Sequence, residues 1–203
     1  LFARETGDDY GTFDGAVTLY ADVLGEAGLA EYRRLAVAAW NKLPARAGGR
    51  GRQEFSADYR RLIGILDFFA ERDGDIQARI ALRANDRSSP WNYLELSEFC
   101  RAQGRTDEAL RYAEEGLWVF EDGRPDERLV FFVADLLAKA GRKDDAKAHL
   151  WRAFEKAPSL AHYAWLRRLG GAAARERAVK LLASRLDGEG RTGWPYPADL
   201  LVR

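Results

Sequence analysis

The sequence predicts an all-α fold, a tetratricopeptide-like right-handed solenoid of about ten helices in five hairpins, and three observations carry that expectation. The first is an internal repeat. Between Pro90 and Pro158 lie two helix-turn-helix units whose turns coincide when superposed. Each carries Gly-Arg-x-Asp-(Glu/Asp)-Ala, at Gly104 to Ala109 and at Gly141 to Ala146. The two glycines lie 37 positions apart, close to the roughly 34-residue tetratricopeptide period, and self-similarity on that scale marks a helical solenoid. The second is that apolar residues along the chain recur at spacings of three and four, which places them on one stripe of a helix. The third is the punctuation of those stripes by glycine and proline.

Taken in order, Leu1, Phe2 and Ala3 precede a turn-rich stretch, and Asp14 is placed to cap the helix that follows. Between Gly15 and Glu26 two apolar rows appear, Val17, Tyr20 and Leu24 beside Ala16, Leu19 and Val23, with a break expected at Gly28. The next helix runs from Leu29 to Leu43 with Tyr32, Leu35, Ala36, Ala39 and Trp40 on one face, and Pro44 stops it. These make hairpin one, about 13–44. The segment from Ala45 to Arg52 reads as a solvated linker with Arg46, Arg50 and Arg52.

Hairpin two, about 55–85, has a helix from Phe55 to Glu71 with Tyr59, Leu62, Ile63, Leu66, Phe69 and Ala70 inward, then a short helix from Ile76 to Ala84. Ser88 or Ser89 is placed to cap the next helix, with Pro90 in its first turn. Hairpins three and four, about 89–121 and 126–157, are the matched pair. Gly104 and Gly141 are expected at positive φ, acids follow at the positive helix start, and Ala109 and Ala146 fall where two helices approach closely. The two preceding hairpins carry Arg33 and Arg79 in place of that alanine. Hairpin five, about 159–186, has Leu160, Tyr163, Leu166 and Leu169 in its first helix and Gly170-Gly171 at its turn. Residues 187–203 read as the start of a truncated further repeat. The whole chain, 1–203, is thus expected to be one helical-repeat domain.

Composition narrows function mainly by exclusion. With 32 basic and 32 acidic residues, no net field draws the whole molecule to nucleic acid or to anionic lipid. No apolar run is long enough to span a bilayer, and the start resembles no signal peptide, so a cytoplasmic location and no membrane partner are expected. The sequence contains no Met, which suggests a piece of something longer. Cys100, alone among Leu96, Phe99 and Ala102, reads as a buried structural thiol. His149 and His162 lack a spaced partner for a metal pair or a catalytic triad. No enzyme motif appears, and no cofactor or metal is expected.

A tetratricopeptide array lines its concave face with the first helix of each hairpin. Registering on the glycine turns therefore predicts a partner-binding face of Phe68 and Glu71, Trp91, Leu94, Glu98 and Arg101, Arg128, Phe131 and Asp135, and Tyr163 and Arg167. Aromatic anchors flanked by charge suit a peptide or a helix in a groove. The competing reading is that Phe68, Trp91 and Phe131 pack between neighbouring hairpins.

Four segments carry a further likeness: Tyr20 to Ala36, Ser88 to Leu94, Gly104 to Leu110 and Trp151 to Leu160. Through them the chain resembles the helical-repeat region found C-terminal to the zinc finger in bacterial SWIM zinc finger proteins, a domain of unknown function. In that family the finger is a Cys-x-Cys…Cys-x-His site thought to contact nucleic acid or protein. One Cys and two His cannot supply four zinc ligands, so no zinc or DNA role passes to residues of this chain. The expectation is a non-catalytic scaffold that binds a protein or peptide partner through its concave face. The alternative is a nucleic-acid accessory module, acting through the parent protein or through Arg46, Arg50, Arg52, Arg60 and Arg61.

Overall fold

Local side chains cap several helices, and one short helix is capped from a distance. The computed structural model describes residues 1–7, 10–43 and 57–188, and the regular elements among them are helices. They are α1 (Phe2–Thr6), α2 (Ala16–Leu19), α3 (Ala21–Trp40), α4 (Ala57–Arg72), α5 (Ile76–Ala84), α6 (Pro90–Ala102), α7 (Thr106–Val119), α8 (Glu127–Lys139), α9 (Lys143–Lys156) and α10 (Leu160–Gly188). The chain divides into two compact units, Leu1–Gly104 and Arg105–Arg203.

In the first unit the cap expected from Asp14 comes from Glu5 instead. Glu5 is 2% exposed. Its Oε1 accepts the Gly15 N–H at 2.9 Å, and its Oε2 accepts the Val17 N–H at 3.2 Å and the Tyr32 hydroxyl. A buried carboxylate is tolerated because it is fully hydrogen-bonded. Burial first, then the hydrogen bond to Glu5 and its charge, push the Tyr32 hydroxyl far above its ordinary titration range. Asp14 pairs with Arg61 Nε at 2.8 Å.

Helix α2 ends after four residues at Tyr20, and α3 begins afresh at Ala21. The expected stripe is therefore cut. Ala16 and Val17 are buried, whereas Leu19 and Val23 are 77% and 83% exposed. The break in α3 falls at Gly25, not at Gly28, which stays helical. Gly25 has φ 57° and ψ −177°, a region essentially closed to residues with a Cβ. The second unit repeats the device in α10 at Gly171, with φ 59° and ψ −138°, where the glycine pair was expected to turn. Gly171→Ala is accordingly expected to lower stability by about 1–3 kcal/mol. Gly64→Ala, an exposed position inside α4 with open space for a Cβ, is expected to raise it by about 0.5–1 kcal/mol. Denaturant midpoints of the two variants against the parent check both signs.

The core of the first unit is Val17, Leu29, Tyr32, Ala36, Leu62, Ile65 and Phe69, with Phe2 edge-on to Tyr32 at 5.3 Å. Helix α3 packs on α4, α4 on α5, and α5 on α6. Arg79 occupies the slot expected to be small by using Asp67 of α4. Its Nε and Nη2 donate to the two carboxylate oxygens at 3.0 Å each, and Arg83 adds bonds at 2.6 and 3.0 Å. Both guanidiniums lie over the Phe99 ring of α6, at 5.1 and 3.9 Å from its centre. Arg33, in the same slot of hairpin one, pairs with Asp73 at 2.5 Å.

In the second unit α7 packs on α8, α8 on α9, and α9 on α10. Gly141, and Gly104 at the end of the first unit, have φ 79° and 74°. Ala109 and Ala146 are wholly buried, as a close helix approach requires. Leu129, Val133, Leu137, Leu150, Phe154 and Leu166 fill the interior, each large side chain contributing about 1.5–3 kcal/mol of burial. Asp126 caps α8, accepting from the Arg128 and Leu129 N–H groups, and Ser159 Oγ accepts from the His162 N–H at the start of α10.

Candidate binding groove

The connector before α6 sets the direction of the site. Ser89 Oγ accepts the Asn92 N–H at 3.2 Å with Pro90 in the first turn, so the expected cap is Ser89. Ser88 donates from its N–H and its hydroxyl to Asp86 Oδ1 at 3.1 and 2.6 Å, and Asn85 Nδ2 donates to the Tyr59 hydroxyl at 3.1 Å. The end of α5, where the connector begins, is thereby tied to α4. From the start of α6, residues 91, 95 and 98 fall on one helix face at spacings of four and three.

Helix α5 packs on both α4 and α6, and a cavity of about 860 Å³ opens between those two. Tyr59, Arg60 and Ile63 line it from α4, and Trp91, Glu95 and Glu98 line it from α6. Phe99 and Arg83 also reach it. Trp91 is 43% exposed, and Glu95 and Glu98 are exposed. Among the described residues these two glutamates make no ion pair or hydrogen bond. The groove lies wholly inside the first unit.

Of the predicted face, only Trp91 and Glu98 meet in this groove. Leu94 is 4% exposed and belongs to the interior, being about 60° round the helix from Trp91. Phe68 packs against the core and edge-on to Phe69 at 5.2 Å, and Glu71 is bound to Arg79 at 2.8 Å. Arg101 is exposed on α6. In the second unit Arg128 pairs with Asp126 at 2.9 Å and Asp135 with Lys139 at 2.7 Å. Phe131 is half-buried, its ring meeting His162 at 5.2 Å and stacking on Trp165 at 5.7 Å. Tyr163 is half-buried and Arg167 exposed. The sequence pattern placed Tyr59 and Ile63 among the inward residues of hairpin two and Arg60 in an arginine cluster, and it passed over Glu95. Glu95 was within reach of it, standing four residues after Trp91.

Other candidates resolve into structure. His162 lies beside Ser159 (3.0 Å) and Glu127 (3.7 Å), but both approach Nδ1, whereas a triad needs them on opposite ring nitrogens. Its Nε2 is buried without a hydrogen bond. Burial pushes its titration below the ordinary histidine value, outweighing the Glu127 charge, and the same cause lowers His149, 3.5 Å from Glu114. Cys100 is buried. Among the described residues there is no group of three or more His, Cys, Asp or Glu fit to hold a metal, and no helix long and apolar enough to cross a membrane. Arg46, Arg50 and Arg52 lie outside the described residues, as does the tail 189–203. Within the same arginine cluster, Arg61 is mostly buried and committed to Asp14.

What the elements and the site define is an all-helical protein with an open aromatic and acidic groove in its first unit. The chain belongs to a family of unknown function (DUF6880), whose model matches residues 1–183. Neither a curated protein nor a solved structure matches it. The likeness to SWIM zinc finger proteins rests on the segments quoted above alone.

Proposed function

We propose that this chain is a non-catalytic, tetratricopeptide-like interaction module that takes a peptide segment of a partner protein in the groove between α4 and α6, within a larger SWIM-associated scaffold. The repeat of Gly104 and Gly141 and the paired burial of Ala109 and Ala146 support the helical-repeat reading. The observation that carries the function is the 860 Å³ cavity with a partly exposed Trp91 on its wall. A concave apolar site with a few convergent polar groups is the usual form of a ligand site, and tryptophan is among the side chains that most often dominate an interface.

Panning a random peptide display library on the whole chain tests this. Peptides are expected to bind the parent and to weaken about 30-fold or more on Trp91→Ala, the loss of a hot-spot anchor. They should bind unchanged to Trp118→Ala, a tryptophan 70% exposed in the second unit. Peptides indifferent to Trp91, or no selected peptides at all, would defeat the proposal.

A further inference from the structure

Resting on that reading of the groove, we infer that the bound segment is basic, an arginine or lysine of the partner lying on Trp91 with its charge met by Glu95 and Glu98. Among the described residues the lining carries three carboxylates, Asp86, Glu95 and Glu98, against two guanidiniums, Arg60 and Arg83. Arg83 is already answered by Asp67, which lies outside the lining. The excess charge of the described lining is therefore negative although the chain as a whole is neutral. Glu95 and Glu98 carry that excess on the same helix face as Trp91, and nothing described in the chain neutralises them.

The chain's own aromatic rings show the preferred companion. Arg83 lies 3.9 Å from the Phe99 centroid, Arg168 lies 3.6 Å from that of Trp165, and Arg177 lies 4.2 Å from that of Trp151 while also pairing with Glu155 at 2.8 Å. That last arrangement, a guanidinium on an indole with a carboxylate at its edge, is the one an incoming cation would form on the exposed part of Trp91 with Glu95 or Glu98. Tryptophan is the strongest aromatic partner for a cation, and the effect grows as water is excluded. Half-buried Ile63 opposite offers apolar surface for the aliphatic stem of the same side chain. An acidic segment or a phosphate backbone would meet three like charges here and is disfavoured.

The same peptide selection decides the matter, with charge read separately from binding. Sequences that depend on Trp91 are expected to be enriched in Arg and Lys over the starting library. A synthetic peptide from that set should bind about 10-fold or more weaker to the Glu95→Gln/Glu98→Gln variant, which keeps shape and removes charge. Its binding to the parent should fall as salt rises, and less so on the variant. Trp91-dependent peptides that are neutral or acidic, or basic ones indifferent to the double substitution, would overturn the basic-ligand inference and leave the groove standing as a peptide site. Absence of any Trp91-dependent peptide would remove both.

Discussion

Asp67→Ala is expected to destabilise the protein by about 2–3 kcal/mol, toward the lower side of the range for breaking a buried ion pair because the three side chains keep some exposure. Asp67, Arg79 and Arg83 are 18%, 16% and 25% exposed. Removing the carboxylate strands two guanidiniums between α4, α5 and α6, each left with donors that no longer meet an acceptor. Only Arg79 retains a second carboxylate, that of Glu71. Asp67→Asn should lose less, because it keeps one acceptor while giving up the charge that strengthens these bonds. The contrasting case is Asp135→Ala, which breaks an exposed pair with Lys139 and is expected to change stability by at most about 1 kcal/mol. Denaturant melts of the three variants check the order.

The same cluster sets a pH dependence whose sign follows from its neighbours. Burial alone would raise the Asp67 carboxyl, but the hydrogen bonds and charges of Arg83 and Arg79 outweigh it and hold the group below its ordinary value of 3.8. The folded protein thus binds this proton more weakly than the unfolded chain. Its contribution is complete above 3.8 and is lost as pH falls through the depressed folded value. The stability gap between the parent and Asp67→Asn should stay constant down to about 3.8 and close as pH falls from there through the depressed folded value. A gap that widened with acid would contradict the assignment.

Local signals were legible in the sequence and distant ones were not. The Ser89 cap with Pro90, the positive φ at Gly104 and Gly141 and the buried Ala109 and Ala146 all depend on residues within a turn or two, or on a repeat that states them twice. Gly25 and Gly28 stand in the same helical pattern, which does not say which of them breaks it, and the cap on α2 comes from Glu5, ten or more residues upstream of the groups it binds. Arg79 looked like a misfit for a close helix contact because its partner, Asp67, lies on the other helix of the hairpin. The binding face suffered in the same way. Helical registration correctly put Trp91 and Glu98 on one side of α6, but it could not say which hairpins leave the space beside that face open. Next to Trp91 the α4 wall stands back. Next to Phe131 a ring from α10 fills the space.

That ring makes Phe131 the sharpest test of the distinction. Phe131→Ala is expected to lower stability by about 2–3 kcal/mol, less than the 3–5 of a fully buried phenylalanine because the residue is half-buried, with its two aromatic contacts contributing part of the total. Its ring lies between His162 and Trp165, at 12° to the latter, and Arg168 covers the Trp165 ring at 3.6 Å. Truncation leaves a void between α8 and α10 that none of these rings can close without leaving its stack. For a chain of this size the melting temperature should fall by roughly 5–10 °C. The imidazole of His162 reports on the same void. Its titration is held low by burial, so water admitted by the missing ring should move it up toward the ordinary value, which proton NMR of the ring resolves. Peptides selected through Trp91 should bind this variant as they bind the parent at temperatures where both are folded, since the groove lies in the first unit. An unchanged melt together with lost peptide binding would return Phe131 to the binding face and make the stacking against Trp165 incidental.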